Sequence, residues 1–173
     1  MPFTNDTIDA DALPRFEEVC FSSLHKNYIK AVCASTAAVL LVLAAALGVL
    51  AYFNEELQGS AFLRLLLAIA YVVFSAALFF FNIASAKRQG YALREKDILY
   101  KRGLVSTTTT IIPFNRIQHV AIHEGAVSRL FHLAQVQVFT AGGSTSDIKI
   151  PGIAKEKAES IKGLLMQKIQ NNA

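Results

Sequence analysis

The sequence predicts an α+β membrane protein in which a two-helix transmembrane hairpin precedes an antiparallel β domain capped by a C-terminal α-helix. Three observations predict it. Two uncharged apolar runs, 31–53 and 65–86, contain 23 and 22 residues. After Lys87 the apolar residues recur at every second position, as in half-buried strands. Near the C-terminus they return to helical spacing, which predicts one amphipathic helix.

The two apolar runs are long enough to cross a bilayer as helices. At 1.5 Å per residue each spans roughly 33–35 Å, more than the roughly 30 Å of hydrocarbon in a membrane. The eleven residues between them are too few for a domain, so the runs form a hairpin. Buried helices of a soluble protein are the alternative, and the remaining polar sequence is too short to cover two such helices.

Cationic residues flank the hairpin on one side only. Lys26 and Lys30 precede the first run, Lys87 and Arg88 follow the second, and the connector carries only Arg64. Because cationic flanks stay on the cytoplasmic side, we expect a multi-pass protein of the cell membrane with both termini in the cytoplasm. The domain limits are then a cytoplasmic segment 1–30, a hairpin 31–86 and a cytoplasmic domain 87–173.

The segment before the first run predicts a short amphipathic helix. Pro14 suits a first helical position, and Phe16, Val19, Cys20 and Leu24 would share one face of a helix ending at Leu24. The membrane surface and the C-terminal domain are both suitable partners for this face.

Small residues on the first run predict helix packing. They are Ala34, Ala38, Ala44 and Gly48, the last two in a small-x-x-x-small pattern. Packing against the second run of the same chain is favoured over a dimer face. Asn82 is expected to bond a backbone group or a headgroup. Neither run contains an ionisable Asp, Glu, Lys, Arg or His, which argues against an ion pathway.

The C-terminal half predicts six short strands, one helical turn at 128–131 and a final helix over about 154–169. That helix has an apolar stripe which needs a sheet to cover. Six or seven short strands closed by one helix is the plan of a pleckstrin-homology-like (PH-like) barrel. The predicted strands are 90–94, 98–102, 106–113, 116–124, 134–140 and 147–150.

Three sequence pieces carry a resemblance to a known family: IPFNRIQ at 112–118, SRLF at 128–131 and FTAGG at 139–143. Residues 91–165 resemble the bacterial PH-like domain of YdbS-type membrane proteins, and the two apolar runs fit as well. One departure is His132, where the family usually has glycine. If that glycine has a positive φ, His132 must bear strain or the turn must differ.

The resemblance implies a cell-membrane protein with a cytoplasmic PH-like barrel and does not imply an enzyme; no cofactor is expected. It implies a homologous protein carrying several PH-like domains, or a homo-oligomer, as the protein partner, and membrane lipids are expected as a further partner. It also implies a link to envelope stress or antimicrobial resistance. The fold itself hosts lipid binding, peptide binding and oligomerisation, so fold alone does not settle function.

Six cations close to the second run form the first candidate site, which we call the basic collar. A positive patch beside anionic lipid gains roughly 1 kcal/mol per charge near the surface. The alternative is a signal for membrane orientation plus solvated strand charges, and both can hold. Nucleic acid is not expected, because no aromatic residues interleave with these charges. The collar comprises Lys87, Arg88, Arg94, Lys96, Lys101 and Arg102.

A second candidate site rests on the resemblance alone and comprises Arg116, Gln118 and Arg129. Arg116 could equally bond turn carbonyls, and Gln118 could bridge strands. No metal site is expected, because four residues along a strand separate His119 from His123 by about 13 Å.

Known catalytic motifs are absent from the sequence. The sequence therefore predicts a non-enzymatic, membrane-anchored binding or scaffolding module. The alternative is a structural subunit that docks on a relative with several PH-like domains.

Overall fold

The computed structural model describes residues 19–141 and 147–171. Its helical part is a hairpin of two long helices, α1 (Asn27–Phe53) and α3 (Ala61–Arg88), joined by the short helix α2 (Glu55–Gly59). Both long helices are apolar and long enough to cross a membrane. Most of their side chains are exposed, which suits contact with lipid. The predicted hairpin is confirmed.

Polar bonds between the long helices hold the half of the hairpin nearer the β domain. Asn82 Nδ2 of α3 donates to Thr36 Oγ1 of α1 at 2.9 Å. One turn further along α1, the Leu40 carbonyl accepts a hydrogen bond from the Tyr71 hydroxyl of α3 at 2.9 Å. Asn82 was expected to bond a backbone group or a headgroup, so that prediction is wrong. The Thr36 hydroxyl lies on the same face of α1 as Leu40, one helical turn before it, and is a nearer partner for Asn82.

The small residues of α1 do not make the close packing that was predicted for them. Ala34 is half-buried, whereas Ala38, Ala44 and Gly48 are exposed. A Cβ added at Gly48 would meet nothing within 4 Å. The reason is that Thr36 and Leu40 make the contact with α3. Further along, Ala44 and Gly48 line an open groove instead.

The β domain consists of two antiparallel sheets. The first has the order β1 (Ser22–Ser23), β2 (Gly90–Leu93), β3 (Asp97–Arg102) and β4 (Thr108–Pro113). The second has the order β5 (Ile117–His123), β6 (Leu133–Thr140) and β7 (Ile148–Ala154). A 3-10 turn (Phe114–Arg116) links the sheets, and two helices complete the domain: α4 (Ala126–Leu130) and α5 (Lys155–Asn171). This is the predicted PH-like α+β architecture.

The core lies between the sheets and α5. Ala158, Ile161 and Leu165, the middle of the predicted helical stripe, are buried. They pack with side chains from the inner faces of both sheets, including Ile98 and Val136. Helical spacing on one element and alternation on the others thus define a single core.

The N-terminal segment differs from its prediction. Residues 14–18 of the predicted helix lie outside the described residues, but residues 19–24 are not helical. Instead, Ser22 and Ser23 pair with Tyr91 and Gly90 as an edge strand. Leu24 packs against the core, so this part docks on the domain. The exposed edge of β2 offers unpaired backbone groups, and pairing satisfies them.

The connections define two ends of the β domain. Helix α3 ends at Arg88 and β2 begins at Gly90, so this end adjoins the hairpin, and we call it the near end. Gly90 pairs with Lys101, which places the end of β3 there too. The turn between β2 and β3 lies about 13 Å away along the strand and marks the far end.

Candidate membrane-facing site

Four members of the basic collar meet at the near end, and we call them the near-end cluster. Lys87 and Arg88 occupy the last turn of α3, and Lys101 and Arg102 end β3. All four side chains are exposed. The antiparallel register of β2 and β3 brings the two pairs together, although 12 residues of chain separate Arg88 from Lys101.

Contacts orient two of these cations. Arg88 Nη1 donates to the Leu104 carbonyl at 2.8 Å, which ties the turn after β3 to the end of α3. The Lys101 ammonium lies 5.7 Å from the ring centroid of Phe21, within range of a cation–π interaction. The cluster is therefore built by three separate parts of the chain: the end of α3, the β3–β4 turn and the segment before α1.

The other two collar members lie at the far end. Arg94 binds Asp97 in a bidentate pair, with Nε–Oδ1 at 2.6 Å and Nη2–Oδ2 at 2.5 Å. This carboxylate offsets the arginine's charge and raises the pKa of Arg94. Lys96 is exposed in the same turn. The predicted collar is therefore not one patch, because β2 carries the chain away from the membrane before β3 returns it.

The residues of the second candidate site are also separated. Arg116 lies in the 3-10 turn at the far end, where its carbonyl accepts the Ala141 N–H at 3.2 Å. Gln118 lies at a bulge that begins β5. Arg129 lies in α4, after the opposite end of β5. The structure does not bring these three side chains into one site.

The two histidines of β5, His119 and His123, lie on the outer face of the sheet. His119 stacks on Phe139 with ring centroids 4.1 Å apart. His123 is exposed near the other end of the strand. Within residues 19–141 and 147–171, no group of three or more His, Cys, Asp or Glu side chains could hold a metal ion.

Sequence reasoning missed the junction that joins α1 to β7. The His25 N–H donates to the Gly152 carbonyl at 2.8 Å. Gly152 has φ 65°, and a Cβ there would lie 2.4 Å from Cγ of Tyr28. The missing side chain thus makes room for the Tyr28 ring. A Pro151-Gly152 pair inside a β pattern is the one signal that could have indicated a bulge here.

A second contact secures the near end to α3. The Tyr100 hydroxyl donates to Gln89 Oε1 at 3.0 Å. Burial raises the pKa of Tyr100 from 10.0 to about 12. The β domain is therefore held at both helices of the hairpin, through Tyr28 on one side and Gln89 on the other.

The backbone of His132 has the positive φ that was considered for this position, where the family usually has glycine. It has φ 55°, the one positive φ among the non-glycine residues of the described chain. Its carbonyl accepts the Lys155 N–H at 3.3 Å, which fixes the start of α5. The side chain is exposed, so the strain comes from the backbone alone.

Comparison with known proteins agrees with this architecture. The family described as "Bacterial PH domain" matches residues 39–169. The UPF0699 transmembrane protein YdbT of Bacillus subtilis (strain 168) is 30% identical over 88 residues, or 50% of this chain and 18% of YdbT. YdbS of the same organism, also a UPF0699 transmembrane protein, is 31% identical over 72 residues, or 42% of this chain and 43% of YdbS.

The chain thus matches less than half the length of each of these curated relatives. No solved structure matches it significantly.

Proposed function

Since the chain belongs to the bacterial PH domain family, we propose that it is a non-enzymatic, membrane-anchored module whose near-end cluster binds anionic lipid headgroups. The observation that carries the proposal is the meeting of Lys87, Arg88, Lys101 and Arg102 at the end of a membrane-spanning helix.

The position of these cations supports headgroup binding. Lys87 and Arg88 directly follow the apolar part of α3, so they lie at headgroup depth when α3 spans a bilayer. Lys101 pairs with a residue only two positions beyond Arg88. We therefore expect all four charges to lie within about one Debye length, 8–10 Å, of the lipid surface at physiological salt. Each gains roughly 1 kcal/mol there.

The test separates lipid binding from membrane orientation. Lys87 and Arg88 also serve as orientation signals, whereas Lys101 and Arg102 lie in the folded domain and can be changed alone. The proposal is tested by native mass spectrometry of the full chain in detergent, titrated with phosphatidylglycerol or phosphatidylcholine. The double variant Lys101→Gln/Arg102→Gln is compared with Lys96→Gln/Arg116→Gln, which removes one lysine and one arginine from the far end.

We expect the unaltered chain to retain more phosphatidylglycerol than phosphatidylcholine. The near-end variant should lose most of this preference, and the quadruple variant with Lys87→Gln and Arg88→Gln nearly all of it. The far-end variant should keep it. Equal retention of both lipids by the unaltered chain, or a loss confined to the far-end variant, would overturn the proposal.

A second candidate function is that of a structural subunit, and the groove in the hairpin favours it. Ala44 and Gly48 of α1 face Leu67 and Ala68 of α3 across an apolar groove of about 330 Å³. Small residues let another helix approach closely in lipid. A relative with several PH-like domains, or a second copy of this chain, would supply that helix. The link to envelope stress or antimicrobial resistance fits either candidate.

The subunit role predicts a complex of defined mass. Ala44→Leu or Gly48→Leu should fill the groove and reduce assembly with a co-expressed relative, measured in nanodiscs by mass photometry. Ala38→Leu is the matched control, because Ala38 does not line the groove. A nanodisc whose added protein mass corresponds to one 18.9 kDa chain, with and without the relative, would contradict this role.

A further inference from the structure

The turn between β3 and β4 carries the most exposed large apolar side chain of the β domain. Val105 is 92% exposed, and Leu104 precedes it. Neither residue belongs to the core of the domain. A lone exposed valine needs no explanation on most surfaces, but its place in the fold makes this one informative.

The backbone of the turn is tightly closed. Gly103 has φ 112°, and a Cβ at this position would lie 1.9 Å from the Ser106 carbonyl oxygen. A residue with a side chain would therefore clash with the backbone across the turn. This tight closure places the half-buried Leu104 and the exposed Val105 at the tip.

A hydrogen bond ties the tip to the end of α3. Arg88 lies at the end of α3, and its guanidinium donates to the Leu104 carbonyl at 2.8 Å. The Leu104 carbonyl is therefore within one arginine side chain plus a hydrogen bond of the Arg88 backbone. Lys101 and Arg102, the last two residues of β3, immediately precede this turn.

We propose that Leu104 and Val105 insert into the apolar boundary of the lipid leaflet, between the headgroups that the near-end cluster binds. The occupant is lipid acyl chain, because the tip is hydrogen-bonded to the end of α3 and follows cations that attract anionic headgroups. This inference rests on the proposed function and specifies the depth of the contact.

The test measures the depth of the tip in the full chain. Cys20 and Cys33 are replaced by Ser, and Val105→Cys is labelled with the environment-sensitive fluorophore NBD. The chain is placed in nanodiscs whose lipids carry a nitroxide either on the acyl chain or on the headgroup. The control is Leu164→Cys, an exposed apolar position on α5 that is 42% exposed and outside the near end.

We expect the label at position 105 to be blue-shifted and quenched several-fold more by acyl-chain nitroxide than the label at position 164. Quenching at 105 no greater than at 164 overturns the insertion, whether the tip faces water or a protein partner.

The outcome is separable from that of the proposed function. A lipid preference that depends on Lys101 and Arg102, without acyl-chain quenching at 105, refutes insertion alone. Equal acyl-chain quenching in anionic and neutral nanodiscs supports insertion and counts against the headgroup preference.

Discussion

Of two positions with a positive φ in the β domain, His132 and Gly152, only His132 could be predicted from the sequence. His132 was identified because the family usually has glycine there, and its φ is 55°. Gly152 could not be identified in this way. A glycine is required there because the Tyr28 ring, more than 120 residues earlier in the chain, leaves no room for a side chain. Spacing along a sequence reveals local conformation, whereas a close approach between distant segments depends on the finished fold.

Relief of strain at His132 should stabilise the domain. A left-handed conformation costs a residue with a side chain about 1–2 kcal/mol, and glycine costs about 0.5–1 kcal/mol in unfolded-state entropy. We expect His132→Gly to raise the free energy of unfolding by up to about 1 kcal/mol, and His132→Val to lower it. Denaturant unfolding in detergent measures both changes. A His132→Gly variant less stable than the unaltered chain would contradict the strain.

The buried hydroxyl of Tyr100 predicts a loss of stability at high pH. Its pKa is raised from 10.0 to about 12 in the folded state, so the folded chain holds this proton more tightly than the unfolded chain. The stabilisation is fully present below pH 10 and is lost as the pH rises to about 12.

The Tyr100→Phe variant should lose less stability over the same pH range, as measured by denaturant midpoints at pH 9.5 and 11.5. The same pH dependence in the variant and the unaltered chain would contradict the assignment.

At the scale of elements, the apolar pattern predicted the strands and helices that have one and missed the elements that do not. Alternation located six strands to within a few residues, uncharged apolar length located both spans, and helical spacing located α5. Strand β1 has two residues and no pattern, so it could not be distinguished from a loop or a helix end. Strand β7 runs on to Ala154, past the Pro151-Gly152 pair that normally ends a strand, because the positive φ of Gly152 accommodates a bulge.

The hydrogen bond between α1 and α3 should stabilise the hairpin in lipid. Asn82 and Thr36 form it at 2.9 Å, and such bonds contribute about 0.6–2 kcal/mol. We expect Asn82→Leu and Thr36→Val each to weaken the hairpin, and the double variant to be little worse than either one.

Steric trapping in bicelles measures these free energies. Ser75→Ala is the control, since Ser75 bonds only the Tyr71 carbonyl of its own helix. Strictly additive losses in the double variant would show that the two side chains do not interact.

At the scale of the molecule, the candidate site depends on topology more than on composition. The sequence identified six cations after the second span, but only the register of β2 and β3 shows that two of them, Lys101 and Arg102, return to join Lys87 and Arg88 at the near end. The strand β1 joins the segment before α1 to the domain, and Tyr28 at the start of α1 contacts Gly152, so residues outside 87–173 also contact the β domain. A cation's distance from a span in sequence does not give its height above the membrane.

The orientation of the hairpin is tested by cysteine labelling. With Cys20 and Cys33 replaced by Ser, Gly59→Cys should react with an impermeant thiol reagent in intact cells, and Lys96→Cys should not. The reason is that Lys26, Lys30, Lys87 and Arg88 flank the hairpin on the side of the β domain. Labelling of position 96 but not of position 59 would reverse the orientation.

Hydrogen–deuterium exchange of the full chain in nanodiscs tests most directly the claim that the near end lies against anionic lipid. The two ends of β3 serve as an internal comparison, with the turn 103–107 at the near end and the turn 94–97 at the far end. We predict slower exchange at 103–107 in phosphatidylglycerol than in phosphatidylcholine nanodiscs, and no difference at 94–97. Equal exchange at 103–107 in both lipids, or protection at 94–97 instead, would contradict the account.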